Sequence, residues 1–411
     1  MTQAHSLPRS SLFREAGLPY FVIAFIARLP FAMMVVGVLT LVVSARESLS
    51  LGGLTSAAVG LGTACFGPLL GAAADRFGQR PVLVILAVVN SAMLVVFAVV
   101  VYGSAADALV LLTAIGIGAS APQVAPMSRS RLVMIISERI PQTQRSRILS
   151  GTMSYESAAD ETVFVFGPFL VGIIGSAIAP WAPLVGAAVL TLVFVGAFAL
   201  HPSGRHASAE RDADGRAPSA ASELVRPALL VVVLGILGVG LFFGTMLTSL
   251  TAFMADRGAP EEAGLLYGVM GVGSAILALG VAWLPPSFSM RARWLVFAGI
   301  LLAASFLLPF AGSPVAMACV LGALGIGIGP TLVTQYSFGA ARSPMGRSAT
   351  VMTMLGSSVI VGQSIGSAVT GEVAQRWGTS WALLLPIVAA AVVFVAGILN
   401  WSPSRTRAHS R

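Results

Sequence analysis

The sequence contains no lysine, and only 10% of its 411 residues are charged. Without lysine there is no complete nucleotide-binding loop of the Gly-x4-Gly-Lys type, so ATP bound in such a loop does not drive this protein. Soluble domains carry about 25% charged residues. A chain with less than half of that has too little polar surface to coat a water-soluble particle, which excludes an ordinary soluble enzyme. There are two cysteines, Cys65 and Cys319, each inside an apolar run. They are too few for a disulfide framework or a zinc site and read as small core residues. The four histidines, His5, His201, His206 and His409, lie outside the apolar runs or at their ends. Histidine is therefore not the proton carrier at a membrane midplane. Complete His-Glu-x-x-His and Gly-x-Gly-x-x-Gly motifs are missing too, and no metal or cofactor is called for.

What the chain does have is apolar residues, 56% of the total. A bilayer-spanning helix needs about 20 of them in a row. Twelve such segments can be read, near 20–44, 52–74, 80–102, 106–128, 147–175, 179–201, 226–254, 262–284, 292–311, 313–340, 347–371 and 379–401. The first, Tyr20–Val43, is too long for a signal-peptide core and reads as a retained helix. The expected fold is an all-α membrane protein whose obligatory partner is the lipid bilayer.

The net charge is +8, and every basic residue is an arginine. The arginines fall in small groups between apolar runs rather than in one stripe, so nucleic acid is not the expected partner. With the N-terminus inside, the inner segments hold 20 of the 24 arginines and the outer loops hold Arg46, Arg257 and Arg376. That asymmetry follows the positive-inside rule and predicts an even number of spans with both termini cytoplasmic, in the cell's inner (plasma) membrane. The one long polar stretch, His201–Ser222, reads as a flexible linker. It divides the chain into a six-helix bundle over 1–201, a linker over 202–225 and a second six-helix bundle over 226–411. Ala114-Ile-Gly-Ile-Gly118 parallels Ala323-Leu-Gly-Ile-Gly327, with Val124 and Ser128 matching Val333 and Ser337, which points to a duplicated transporter architecture.

After the second span comes Gly71-Ala-Ala-Ala-Asp75-Arg76-Phe77-Gly78-Gln79-Arg80. Gly78 permits a turn closed to other residues, Asp75 suits a helix N-terminus, and the arginines hold the loop inside. Gly71, Asp75, Arg76, Gly78 and Arg80 resemble the loop between spans two and three of the major facilitator superfamily, while Gln79 and Pro81 depart from its basic run. The resemblance implies two pseudo-symmetric six-helix bundles and a role for Asp75, Arg76 and Arg80 in a cytoplasmic gate. The equivalent stretch of the second half, Gly280–Arg293, lacks the Asp and holds Pro285-Pro286, so no matching second gate is expected. In the fifth span Gly167-Pro168 followed by Gly172 is similar to the motif of the family's proton-driven exporters, with Val163 and Val171 where that motif has glycines. The arginine usual in the exporters' fourth span would fall near Leu112 and is missing.

The fifth span also carries Tyr155-Glu156-Ser157-Ala158-Ala159-Asp160-Glu161. Measured along a helix from Arg147, Glu156 is roughly 14 Å and Asp160 roughly 20 Å deep. Intramembrane acids face a cavity or a partner and mark function. Arg28, inside the first span, is the expected partner of Glu156 or Asp160. Three acids against one arginine leave two excess negative charges, which a shared proton or a cationic substrate would resolve. Gln123, Thr245, Thr248, Gln335, Tyr336 and Gln363 are candidates for the wall of a substrate cavity, alongside ordinary helix–helix hydrogen bonding.

The expected function is secondary active transport by a monomer: proton-coupled efflux of a small amphipathic or cationic molecule, with Glu156, Asp160, Glu161 and Arg28 as the coupling site. Two alternatives stand beside it. One is a proton-coupled importer of a sugar, organic acid or other metabolite, with Arg28 binding the substrate anion. The other is a membrane binding or assembly protein without transport.

Overall fold

Two of the helix breaks in this chain fall beside prolines. The computed structural model describes residues 12–46, 48–103, 105–205, 219–258, 263–285 and 287–401, and every regular element among them is helical. A short α1 (Leu12–Ala16) leads into a first span split into α2 (Leu18–Ile26) and α3 (Leu29–Arg46). Pro30 has no N–H with which to carry the helix across Ala27–Arg28. α4 (Leu49–Phe77) and α5 (Gln79–Tyr102) are continuous and meet at Gly78, whose φ of 90° meets the expectation of a glycine turn. The fourth span is split again, into α6 (Asp107–Ala119) and α7 (Val124–Arg139), around Pro122.

α8 (Gln142–Ala177) runs unbroken for 36 residues through Gly167-Pro168. The sixth span is α9 (Ala182–Leu190), a π-helical turn at Thr191–Val195 and α10 (Gly196–Leu200). The second half holds α11 (Pro227–Ala255), α12 (Ala263–Gly280), α13 (Met290–Ser305), α14 (Pro314–Ala341), α15 (Ser348–Trp377), α16 (Thr379–Ala382) and α17 (Leu385–Trp401). Eleven helical segments among the described residues are long and apolar enough to cross a membrane. α8, which corresponds to the expected fifth span and carries the three acids, is not one of the eleven. Most of the expected linker lies outside the described residues.

The fourth segment runs over Asp107–Arg139, past the expected end at 128. Arg129 and Arg131, expected in an inner loop, are instead buried inside α7. The inner count drops to eighteen against three, which preserves the asymmetry. Two of the outer arginines serve helix ends. Arg46 donates to the carbonyls of Val101 (2.7 Å), Gly103 (2.8 Å) and Ala105 (3.0 Å), and Arg257 to those of Phe253 (2.8 Å) and Gly312 (3.1 Å).

Glycines set the closest helix crossings. A Cβ on Gly118 would overlap the Val59 carbonyl, and one on Gly329 the Ser274 carbonyl, so α4–α6 and α12–α14 are equivalent backbone contacts. Gly116 faces Met93 of α5, and Gly327 faces Leu301 of α13. By these contacts Gly116 and Gly118 correspond to Gly327 and Gly329, two residues beyond the expected pairing. Side chains such as Leu69, Ile85, Val99 and Phe310, all more than 60% exposed, give the helices an apolar outer surface suited to lipid.

Candidate functional site

The first-span break leaves Arg28 at the junction of α2 and α3, and its side chain points into the protein, 3% exposed. There it meets both expected acids of α8. One terminal nitrogen lies 2.5 Å from Glu156 Oε2 and the other 3.2 Å from Asp160 Oδ1. Glu156 and Asp160 are one helical turn apart, so one guanidinium spans both. The second oxygen of Glu156 accepts from Ser128 Oγ at 3.0 Å, and Ser128 Oγ shares a 2.8 Å hydrogen bond with Tyr20. The second oxygen of Asp160 accepts from Arg129. Arg129 Cζ in turn lies 4.0 Å from the centroid of Tyr336 on α14, a cation–π contact that joins the two halves.

Arg129 adds a second cation to the charge arithmetic of the sequence. Two acids face two guanidiniums, so Arg28, Glu156, Asp160 and Arg129 sum to zero. Neutrality is what burial demands. An ion taken from water costs several kcal/mol, and an unpaired one is not tolerated. The side chain of Glu161 lies outside the described residues. One signal in the sequence pointed to a further cation such as Arg129: buried acids need as many cations, and Arg28 alone left two of the three without one.

Burial is uneven across the network. Glu156 is fully buried and the two arginines are 2–3% exposed, whereas the Asp160 side chain is 24% exposed. One turn further along α8, exposed Phe164 packs edge-on against Phe31 of α3, with ring centroids 6.2 Å apart. Asp160 is thus the most exposed of the described side chains of the network, with an aromatic pair one helical turn away.

Of the expected cavity residues, Tyr336 alone joins this network. Gln123 donates to the Ala121 carbonyl at the α6–α7 break (3.0 Å), and Thr245 to the Phe242 carbonyl (3.1 Å). Thr248 and Gln363 are half-buried on α11 and α15. Gln335 is fully buried, with its amide beside Gly235 and Trp294 inside the second half. Gly362-Gln363-Ser364-Ile365-Gly366 has the spacing of a hydrolase nucleophile elbow. It lies mid-helix in α15, with both glycines against α11 backbone, so it offers no strand-to-helix turn to expose the serine.

The Asp75 motif makes a second contact between the halves. Asp75, at the end of α4, accepts from Ala349 N (3.0 Å), Thr350 N (2.8 Å) and Thr350 Oγ1 (2.5 Å). These are first-turn groups of α15, whose N-cap position holds Arg347. A carboxylate from the first half thereby caps a helix of the second and meets the positive end of its dipole. Gly71 brings the helices together here, since a Cβ on it would overlap Thr353. Arg76 and Arg80 are exposed and form no ion pair with a described residue. In the 280–293 stretch of the second half, Arg293 donates to the carbonyls of Phe288 (2.7 Å) and Pro285 (3.2 Å) and reaches Ser150 of α8 at 3.5 Å. Here an arginine rather than an acid makes the contact across to α8. Of the exporter-like motif, Gly167 packs hard on Ala32, a Cβ added at Gly172 would meet no described atom within 4 Å, and the side chain of Pro168 lies outside the described residues.

A family model described as Major Facilitator Superfamily matches residues 20–360. The chain belongs to that superfamily. It is a transporter and not an enzyme. The structure of the human organic anion transporter MFSD10 (TETRAN) superposes with a TM-score of 0.70 at 17% identity, covering 95% of this chain and 100% of that one. A bacterial homologue of the iron transporter ferroportin, in its outward-facing state, gives 0.73 at 14% identity, covering 95% and 99%. The transporter FucP in its outward conformation gives 0.68 at 16% identity, covering 94% and 99%. No curated relative matches the chain by sequence alone. At these identities the likeness to major facilitator structures is one of fold, and the charge network is a feature of this chain's own residues.

Proposed function

We propose that this major facilitator protein is a proton-coupled secondary transporter that works as a monomer by alternating access. Twelve spans form two six-helix bundles, 1–201 and 226–411, joined by the 202–225 linker. The arginine-rich Asp75 end faces the cytoplasm, with the chain in the plasma membrane and both termini inside. One observation carries the reading: Asp160 is a partly exposed carboxylate held between two buried guanidiniums, and one of these stacks on Tyr336 of the opposite half. Protonation of Asp160 weakens its hold on Arg129 and so alters a contact between the halves. A small solute and a proton thereby act on the same equilibrium. Asp75 capping α15 holds the cytoplasmic end closed in this conformation.

The sequence favours export by antiport of an amphipathic or cationic molecule, a view that rests on Gly167-Pro168 and on an apparent excess of acid. Arg129 offsets one of those two excess charges. It supports the other reading, uptake of a metabolite with a proton, in which the arginines meet an anionic group. In proteoliposomes with an imposed pH gradient, Asp160→Asn is expected to abolish accumulation while the protein still inserts and exchanges substrate across the membrane. Accumulation in that variant with the pH dependence of the unaltered protein would remove Asp160 from the coupling step.

A further inference from the structure

The two guanidiniums point to the class of solute. Arg28 and Arg129 each place one terminal nitrogen on a different carboxylate oxygen of Asp160. The Nε donors of both arginines are buried and lack an acceptor among the described residues. Asp160 therefore occupies a carboxylate-sized position between two cations whose donor capacity it does not exhaust. The groups facing it are Arg28 from the α2–α3 break, Arg129 from α7 and, behind Arg129, Tyr336 from α14. Glu156 and Tyr155 lie on its own helix. Glu156 is committed to Arg28 and Ser128, and Tyr155 donates to the Phe21 carbonyl at 3.3 Å. A proton on Asp160 removes one negative charge from a balanced set. The remaining set, Arg28, Arg129 and Glu156, carries a net charge of +1 in a buried position, which calls for one anion. Beside that position stand Phe31 and half-exposed Phe164, an apolar surface one helical turn away.

We propose, building on the proton-coupled reading above, that the transported solute is a small amphipathic organic monoanion. Its anionic group takes the place of the Asp160 carboxylate between Arg28 and Arg129, and its apolar body rests on Phe31 and Phe164. Asp160 leaves the arginines by accepting one proton from solution, so each anion enters the site with one proton and the pair moves without net charge. A carboxylate or a sulfonate satisfies the arginines in the same way, because both present two or more acceptor oxygens to planar donors.

The test uses purified full-length protein and three probes with the same ring: benzenesulfonate, benzyl alcohol and benzylamine. Benzenesulfonate keeps its charge at all working pH values, so any pH dependence of its binding belongs to the protein. Binding is read by equilibrium dialysis at pH 5.5 and pH 8. The expected result is benzenesulfonate binding at least tenfold weaker at pH 8 than at pH 5.5, with at least tenfold weaker binding of the alcohol and the amine. In Asp160→Asn, benzenesulfonate is expected to bind equally at both pH values and to raise the melting temperature. In Arg129→Gln, and in Arg129→Lys as a variant that keeps the charge, binding should fall at least tenfold, with gel filtration checking that each variant is folded. Phe164→Ala should weaken binding of the anion without changing its pH dependence. No binding of benzenesulfonate at millimolar concentration at pH 5.5, or preference for benzylamine, overturns the anion proposal. Benzylamine binding whose pH dependence is lost in Asp160→Asn would leave proton coupling standing while the solute class falls. Benzenesulfonate binding that needs Arg129 but keeps its pH dependence in Asp160→Asn would overturn the Asp160 step and the coupling reading together, leaving the anion site.

Discussion

Replacing Asp75 by Asn tests whether one carboxylate holds the two halves together at the arginine-rich end. Asp75 accepts three hydrogen bonds from the first turn of α15, two from backbone N–H groups and one from Thr350 Oγ1. Bonds to a charged acceptor are worth about 1.5–3 kcal/mol each in protein variants, and the helix dipole adds about 0.3–1 kcal/mol. These values do not simply add, because both sides regain water when the halves part and Asp75 is only half-buried. A net contribution of about 2–3 kcal/mol to the closed state follows, a shift of roughly 30- to 150-fold in the closed-to-open ratio. Asn keeps the size of the side chain but loses the charge and turns an acceptor into a donor facing N–H groups. Spin labels at exposed Gln142 and Met345, one in each half at this end, would report the distance distribution by double electron–electron resonance. The Asn variant should gain a longer-distance population at the expense of the short one, with little change in melting temperature. Thr350→Val, which removes one of the three bonds, should shift the same equilibrium by about 1 kcal/mol. An unchanged distribution in Asp75→Asn, within threefold, would refute the view that this contact decides the closed state.

Arg28→Gln should destabilise the protein by about 3–5 kcal/mol by leaving fully buried Glu156 without its cation, and Glu156→Gln added to it should restore most of that loss. Thermal melting of the two single variants and the double variant measures this, and equal, additive losses would contradict the pairing. The two glycines of the exporter-like motif should separate cleanly in the same assay. Gly167→Ala places a methyl 2.5 Å from Ala32 Cβ and 3.1 Å from its carbonyl carbon, an overpacking cost of about 1–3 kcal/mol. The methyl of Gly172→Ala meets no described atom within 4 Å, so this variant should be neutral or stabilising by up to about 1 kcal/mol through helix propensity.

The composition, the apolar runs and the Asp75 loop were legible along the chain because each is a local property. Membrane insertion depends on the polarity of about 20 consecutive residues. The Gly78 turn depends on one residue's φ, and the placing of Glu156 and Asp160 one turn apart on one helix depends on helical geometry alone. The pairing of Arg28 with both acids was half legible, since a buried charge demands a partner but the sequence does not say how many acids one guanidinium can reach. Four things were settled only by the tertiary structure. Arg129 follows an apolar run by a few residues and reads as an ordinary loop arginine, until the break at Pro122 carries α7 inward and stacks it on Tyr336, more than two hundred residues away. Arg131 reads the same way, yet it is fully buried and donates to the Phe198 carbonyl near the end of α10. The partner of Asp75 is a helix N-terminus in the other half, and no spacing within the motif encodes that distance. Among the six polar cavity candidates, the packing of α11, α13 and α15 decided that Gln335 lies inside the second half and that Tyr336, its neighbour in sequence, joins the charge network. Adjacent residues on a helix point about 100° apart, so which of the two meets a charge depends on where the neighbouring helices sit.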